Sequence, residues 1–377
     1  MAGRDFSFRC AVYSDPRCIC RCQPHSGKSH GSITARSHAL IFMPCTVVVA
    51  AGTALRPPLL SHSFDTAGGV DFRLVKVPEN ANPPSPRPVY RWDENDVPRF
   101  FGIGRGPIPE YCFESAEADS PAPIGFIPQK EATYGYWEAA SGIANEKGVM
   151  IAECTCAAVF GATVRKGIGT AGPLLGYMEL TRIALERCAT ARAAVQCMGD
   201  LAIEHGFAGN TDSLSGAAES LAVVDGKEAW VFHVLPDDTG TSAIWAAQRL
   251  KEGHVACVPN VFVIREMDLT DPSFLLSSNA KSVALRNGLW EQGAPFDFAR
   301  IFSSGEARHR YYSGRRQWRA LSLLAPSLQL SPSYEDLLKD SPYPISVVPD
   351  MPIDASDVMR IMRDTYKGTP FDAATGE

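Results

Sequence analysis

The chain changes character at Cys45. Ahead of it, residues 1–44 are basic, with Arg4, Arg9, Arg17, Arg21, Lys28 and Arg36 outnumbering Asp5 and Asp15, and they carry Cys10, Cys18, Cys20 and Cys22 with no helical or strand period. Behind it comes Thr46-Val47-Val48-Val49-Ala50-Ala51. An unbroken run of β-branched and small residues fits a strand covered on both faces. The first core strand therefore starts in mid-chain. This predicts an N-terminal extension over 1–44 and a folded domain over 45–377. The extension reads as a propeptide, a targeting segment or an upstream start, since Met43 lies just before Cys45. The apolar patch at 38–42 is shorter than the core of a signal peptide.

Beyond the first strand the pattern alternates between sheet and helix. Residues 80–130 are rich in proline and read as a long irregular excursion, a lid in the making. Strand patterning returns between Tyr134 and Glu153, with Gly148 at a turn. Residues 174–205 carry Leu180, Ile183, Ala184 and Cys188, then Ala191, Ala194, Val195, Met198 and Leu201, at helical spacing. Thr190 is placed to cap the second of two helices and Gly206 to end it. Leu221-Ala222-Val223-Val224 and Glu228-Ala229-Trp230-Val231-Phe232 flank Asp225-Gly226, a hairpin signal. Further strands are expected over 242–247 and 254–264, and a helix over 357–364. A helix pair beside antiparallel strands predicts an α+β fold.

Composition removes several functions. A net charge of −6 gives no broad attraction for nucleic acid or a membrane surface. No apolar run approaches the roughly 18 residues of a spanning helix. Eleven cysteines, scattered through a chain of 377 residues, suit reduced and mostly buried thiols in a cytoplasmic setting, with a lysosome-like compartment as the other option. Cys18-Ile19-Cys20-Arg21-Cys22 lacks the spacing of a zinc site, and Cys154-Thr155-Cys156 reads as one face of a strand rather than a redox pair. Neither metal nor organic cofactor is expected.

Cys45 opens the domain, and that position has a chemical use. If Cys45 becomes the first residue, its own α-amine titrates at about 7.7–8.0 and can take the thiol proton without a histidine. The motifs that follow resemble the cysteine dipeptidase family that includes dipeptidase A and the secernins, N-terminal-nucleophile hydrolases related to penicillin V acylase and bile salt hydrolase. The resemblance rests on an ordered set: Cys45-Thr46; His62-Ser63-Phe64-Asp65 with the stretch from Asp71 to Pro78; Tyr134-Gly135-Tyr136-Trp137-Glu138-Ala139; Asn145-Glu146-Lys147-Gly148-Val149; the helix 179–187; Glu228-Ala229-Trp230-Val231-Phe232; Trp245-Ala246-Ala247-Gln248-Arg249-Leu250; and Gly368-Thr369-Pro370-Phe371-Asp372. It implies a four-layer αββα sandwich and hydrolysis of dipeptides. Family members run on past Gly368-Thr369, so the domain is expected to be incomplete at its C-terminus. The arginine of the acylase relatives' Arg-Asn-x-Asp is absent here, and Asp65 keeps the acidic position.

The resemblance assigns Cys45 as nucleophile, Asp65 as the carboxylate orienting the α-amine or the thiol, and Asn145 as the oxyanion donor or the partner of the substrate amide. Asn260 and Arg182 are the candidates for binding substrate. Each has a plain alternative: a core cysteine, a turn Asp before Gly68-Gly69, a turn Asn before Gly148, a strand-entry Asn and a solvated Arg on a helix face. His62, Trp137 and Trp245 read as packing residues. Glu153 would need a partner if buried. An acylase of non-peptide amides and a secernin-like regulatory protein remain alternative functions, and a homo-oligomer is compatible with either.

Overall fold

The computed structural model describes residues 8–12, 45–64, 74–81, 86–90, 123–139, 141–209, 214–307 and 309–372. Its strands are β1 (Phe8–Val12), β2 (Thr46–Ala50), β3 (Leu59–Phe64), β4 (Val75–Val77), β5 (Asn80–Ala81), β6 (Arg87–Tyr90), β7 (Pro123–Ile127), β8 (Ala132–Thr133), β9 (Tyr136–Glu138), β10 (Gly142–Asn145), β11 (Met150–Cys156), β12 (Ala218–Val224), β13 (Ala229–Pro236), β14 (Ala243–Arg249), β15 (Val255–Val258), β16 (Phe274–Leu276) and β17 (Ser346–Val347). The helices are α1 (Tyr177–Arg187), α2 (Ala191–His205), α3 (Ala280–Arg286), α4 (Phe298–Phe302), α5 (Gly314–Leu324), α6 (Leu337–Asp340) and α7 (Ala355–Met362). Among the described residues no helix is long and apolar enough to cross a membrane.

Two antiparallel sheets form the frame of an α+β fold. The smaller runs β1-β3-β2-β15-β17 and the larger β16-β14-β13-β12-β11-β10-β9-β4. Strands β2 and β3 of the small sheet meet β11 of the large one, and β15 meets β12. Met150, Ala152, Cys154 and Cys156 of β11 join Cys45, Val47, Val48 and Val49 in one apolar core. On the large sheet, α2 packs against β12, β13 and β14, and α1 against β10. Ile151, Leu221, Val223 and Trp230 meet Leu180, Ile183, Val195 and Met198 there in a second core. Helix α5 packs on β15 and β17, and α7 on β3.

Local chemistry explains the element ends. The Thr190 hydroxyl accepts the Ala193 N–H at 3.2 Å, and α2 stops at Gly206 with φ of 76°. Asp225, in the turn from β12 to β13, accepts Lys227 and Glu228 N–H groups with Oδ1 and the Ala191 N–H with Oδ2. One carboxylate thus shapes the hairpin and fastens it to the start of α2.

Two expectations need correction. The strand predicted over 254–264 ends at Val258, because Pro259 has no N–H to give the ladder. Trp137 is 41% exposed rather than core, and Lys76 lies 6.0 Å over its ring. Its neighbours Tyr136 and Glu138 point inward instead, as strand alternation requires.

Gly199 lets α2 sit directly on the Trp245 ring. A Cβ there would come within 2.3 Å of the Trp245 ring atom Cε2. Gly199→Ala gains about 1 kcal/mol of helix propensity but overpacks a buried indole, at a cost of about 1–3 kcal/mol. Chemical denaturation should show net destabilisation; a more stable variant would mean that the helix and the ring do not pack this way.

Candidate active site

Cys45 is the last residue before β2 and is completely buried. The register Thr46↔Ser63 and Val47↔His62 brings β3 alongside it, and the Ser63 hydroxyl accepts the Thr46 N–H at 3.0 Å. From the large sheet, Glu153 of β11 points at the thiol, with Oε1 4.0 Å from the Cys45 Sγ. The same oxygen lies 3.5 Å from the His62 Nε2. A thiol from the residue before β2, an imidazole from β3 and a carboxylate from β11 therefore converge where the two sheets meet. From the sequence His62 reads as a packing residue and Glu153 carries no role; the fold brings both to the thiol.

A second group closes over the Cys45 backbone. Arg316, near the start of α5, spreads its guanidinium over four partners. Its Nη1 donates to the Cys45 carbonyl at 2.5 Å and to the Thr46 hydroxyl at 3.0 Å, its Nη2 to the Asn260 Oδ1 at 2.9 Å, and its Nε to the Tyr312 carbonyl at 2.9 Å. Because an arginine only donates, the Asn260 oxygen must face it, which turns the amide nitrogen the other way. That nitrogen donates to the Thr155 carbonyl at 2.7 Å. Ser313 reaches back to the Asn260 carbonyl at 3.0 Å. Asn260, buried and oriented, is thus tied to the residue that carries the thiol. No local motif marks Arg316; only the fold puts it there.

Beneath this cluster lie polar groups that the apolar core would not tolerate alone. Glu219 is fully buried on β12, and Thr155 donates to its Oε1 at 3.0 Å. Burial pushes its carboxyl well above the ordinary range, and the neighbouring Glu153 charge adds to the effect. The Oε2 atoms of Glu153 and Glu219 are buried without a hydrogen-bond partner. His233 is also fully buried, and burial pulls its imidazole down to about 3. Its Nε2 accepts the Val263 and Ile264 N–H groups at 2.9 and 3.1 Å, so the ring is neutral and protonated on Nδ1, which faces the Ser220 hydroxyl at 2.7 Å. This neutral ring holds the segment just after Asn260, where the predicted strand broke off.

The other expected residues go elsewhere. Asn145 makes every hydrogen bond its amide can make: Nδ2 donates to the Leu185 and Cys188 carbonyls, and Oδ1 accepts the Lys147 and Val149 N–H groups. No N–H remains to meet an oxyanion, so its assignment as oxyanion donor is corrected to a clamp between a turn and the end of α1. Arg182 is neither solvated nor a substrate clamp. It is buried between α1 and β9, with Nε 2.8 Å from Glu138 and Nη1 3.0 Å from Glu179, and Arg87 ties Glu179 to Glu186 in the same network. Two acidic neighbours offset the burial of its charge. Asp65 lies outside the described residues.

A family model described as peptidase family C69 matches residues 112–377. That span contains Glu153, Glu219, Asn260 and Arg316 but begins after Cys45 and His62. A curated protein named Dipeptidase, from Bifidobacterium longum (strain NCC 2705), is 24% identical over 280 residues, covering 67% of this chain and 49% of that protein. The chain therefore spans about half the length of the curated relative it matches.

The bond from Thr155 to Glu219 can be tested by replacement. Glu219→Gln keeps an acceptor for the Thr155 hydroxyl and removes one of two neighbouring carboxyls, and should change stability by less than about 1 kcal/mol. Glu219→Ala removes that acceptor and leaves a cavity, and should cost about 2–4 kcal/mol. Equal losses in urea unfolding would mean that the Thr155 bond to Glu219 contributes nothing.

Proposed function

This chain belongs to peptidase family C69, and from that premise we propose that it is a cysteine-type dipeptidase whose nucleophile is Cys45, acting once the residue has become N-terminal. The observation that carries the reading is the convergence on Cys45 of Glu153, of Arg316 and, through Arg316, of Asn260. A thiol that was merely filling a core would not need a cation on its carbonyl and a carboxylate at its sulfur.

The chemistry follows from the groups present. Release of the Pro44–Cys45 bond frees an α-amine, which takes the Sγ proton. The thiolate attacks the dipeptide carbonyl, and the ammonium returns that proton to the departing amine. A thioester remains on Cys45; water, deprotonated by the same amine, cleaves it and releases the acid. Asn260, oriented by Arg316, is the donor for the oxyanion in place of Asn145. One such donor lowers a barrier by roughly 2.7–4 kcal/mol. Glu153 orients the thiol, and Asp65 remains the proposed partner of the amine. Helices packed outside two facing sheets agree with the αββα sandwich of N-terminal-nucleophile hydrolases.

Acylase activity on non-peptide amides uses the same groups and differs in substrate alone. A secernin-like regulatory role does not use them. Cys45→Ala should keep the fold and lower dipeptide hydrolysis by roughly three orders of magnitude or more. Intact mass of the active wild-type preparation should show Cys45 as first residue. Activity in a chain still carrying Met1, or undiminished activity in the alanine variant, would sink this mechanism.

A further inference from the structure

The geometry points to a binding site for a thiophilic divalent cation of the Zn2+ class, formed by Cys45, His62 and Glu153, whose occupation silences the thiol. The silencing rests on the reading of Cys45 as nucleophile; the site itself does not.

The Cys45 sulfur, an imidazole nitrogen of His62 and a carboxylate oxygen of Glu153 all lie within 4.8 Å of one another. Tetrahedral zinc, with bonds of about 2.3 Å to sulfur and about 2.0–2.2 Å to nitrogen and oxygen, sets its ligands about 3.4–3.6 Å apart. The separations here are 4.0 Å from Sγ to Oε1 and 3.5 Å from Nε2 to Oε1. The third separation, from Sγ to the imidazole, is within 4.8 Å, so side-chain shifts of about an ångström or less bring three ligands to bonding distance and leave the fourth position to water. The ligands come from β3, β11 and the residue before β2, and β2 and β3 are paired, so the site is held by sheet rather than by loops.

Two further observations point the same way. The His62 Nε2 is buried without a hydrogen-bond partner, and so is the Oε2 of the almost fully buried Glu153. Lone pairs left over beside a thiol are what a cation would use. Charge balances as well: a thiolate and a carboxylate neutralise a divalent ion, and a neutral imidazole completes the set. A sulfur–nitrogen–oxygen set selects zinc-like ions over Mg2+ and Ca2+, which take oxygen. Binding breaks the S–H bond, forms a metal–sulfur bond and releases one proton to solvent. A sulfur pair shared with a metal attacks a carbonyl poorly.

Cobalt reports the site without reference to catalysis. Co2+ added to the reduced, full-length chain should give a thiolate-to-metal charge-transfer band that Zn2+ abolishes by displacement. Cys45→Ala should lose the band. His62→Ala, altering a side chain 22% exposed, should bind Zn2+ at least about tenfold more weakly against a chromophoric chelator. Zn2+ should also slow alkylation of Cys45, read by peptide mass spectrometry, at least about tenfold. The site is overturned by absence of the band, by a band undiminished in Cys45→Ala, or by unchanged affinity in His62→Ala. A preparation that hydrolyses dipeptides but shows no band overturns the metal site alone. One whose chain begins at Cys45 and that shows the band and the slowed alkylation, yet hydrolyses no dipeptide once the metal is removed, supports the site and overturns the nucleophile reading alone.

Discussion

Arg316 is the interaction on which the site depends. A guanidinium holds its donors in one plane, and this one uses them to join the residue before β2, the loop after β15 and the start of α5. Take it away and the Cys45 carbonyl and the Asn260 oxygen each lose a charged donor inside a packed region. A lysine offers a single point charge and could not hold both at once. The position of the thiol along β2 and the direction of the Asn260 amide thus follow from one side chain on a helix of the small sheet.

The same region shows how a protein keeps polar groups between sheets. Most buried polar atoms here are answered by a specific neighbour, while the His62 Nε2 and the Oε2 atoms of Glu153 and Glu219 are left over. Burial and the Glu153 charge both push the Glu219 carboxyl toward its neutral form. His233 stays neutral so that its Nε2 can accept two backbone N–H groups which lost their strand partners at Pro259. The ordinary cost of breaking a strand is met by a ring from the neighbouring sheet, and the break puts Asn260 within reach of Arg316. The Arg182 and Arg87 network solves a similar problem on the helix-covered side without any link to Cys45.

What the sequence made legible was local. The run after Cys45, the Thr190 cap, the Gly206 stop and the Asp225 hairpin all depend on neighbours a few residues away, and each falls where the pattern puts it. The resemblance pointed rightly to the family. Asn145 misled because an Asn that closes a turn and an Asn that meets an oxyanion look alike until their hydrogen bonds are counted. Arg182 misled because a helix periodicity does not tell whether the covered face hides carboxylates. Glu153 and Arg316 stayed hidden because their partners are 108 and 271 positions away along the chain. Nothing in a short window encodes a contact that only two packed sheets create.

Acyl transfer to one sulfur is the step on which the proposed chemistry turns. Acid-quenching the enzyme within its first turnovers on a dipeptide, followed by peptide mass spectrometry, tests this most directly. The expected product is a thioester carrying the amino-terminal residue of the substrate, on a peptide that begins at Cys45. An acyl group on any other residue, or turnover with no acylated peptide and with Cys45 blocked, would contradict it.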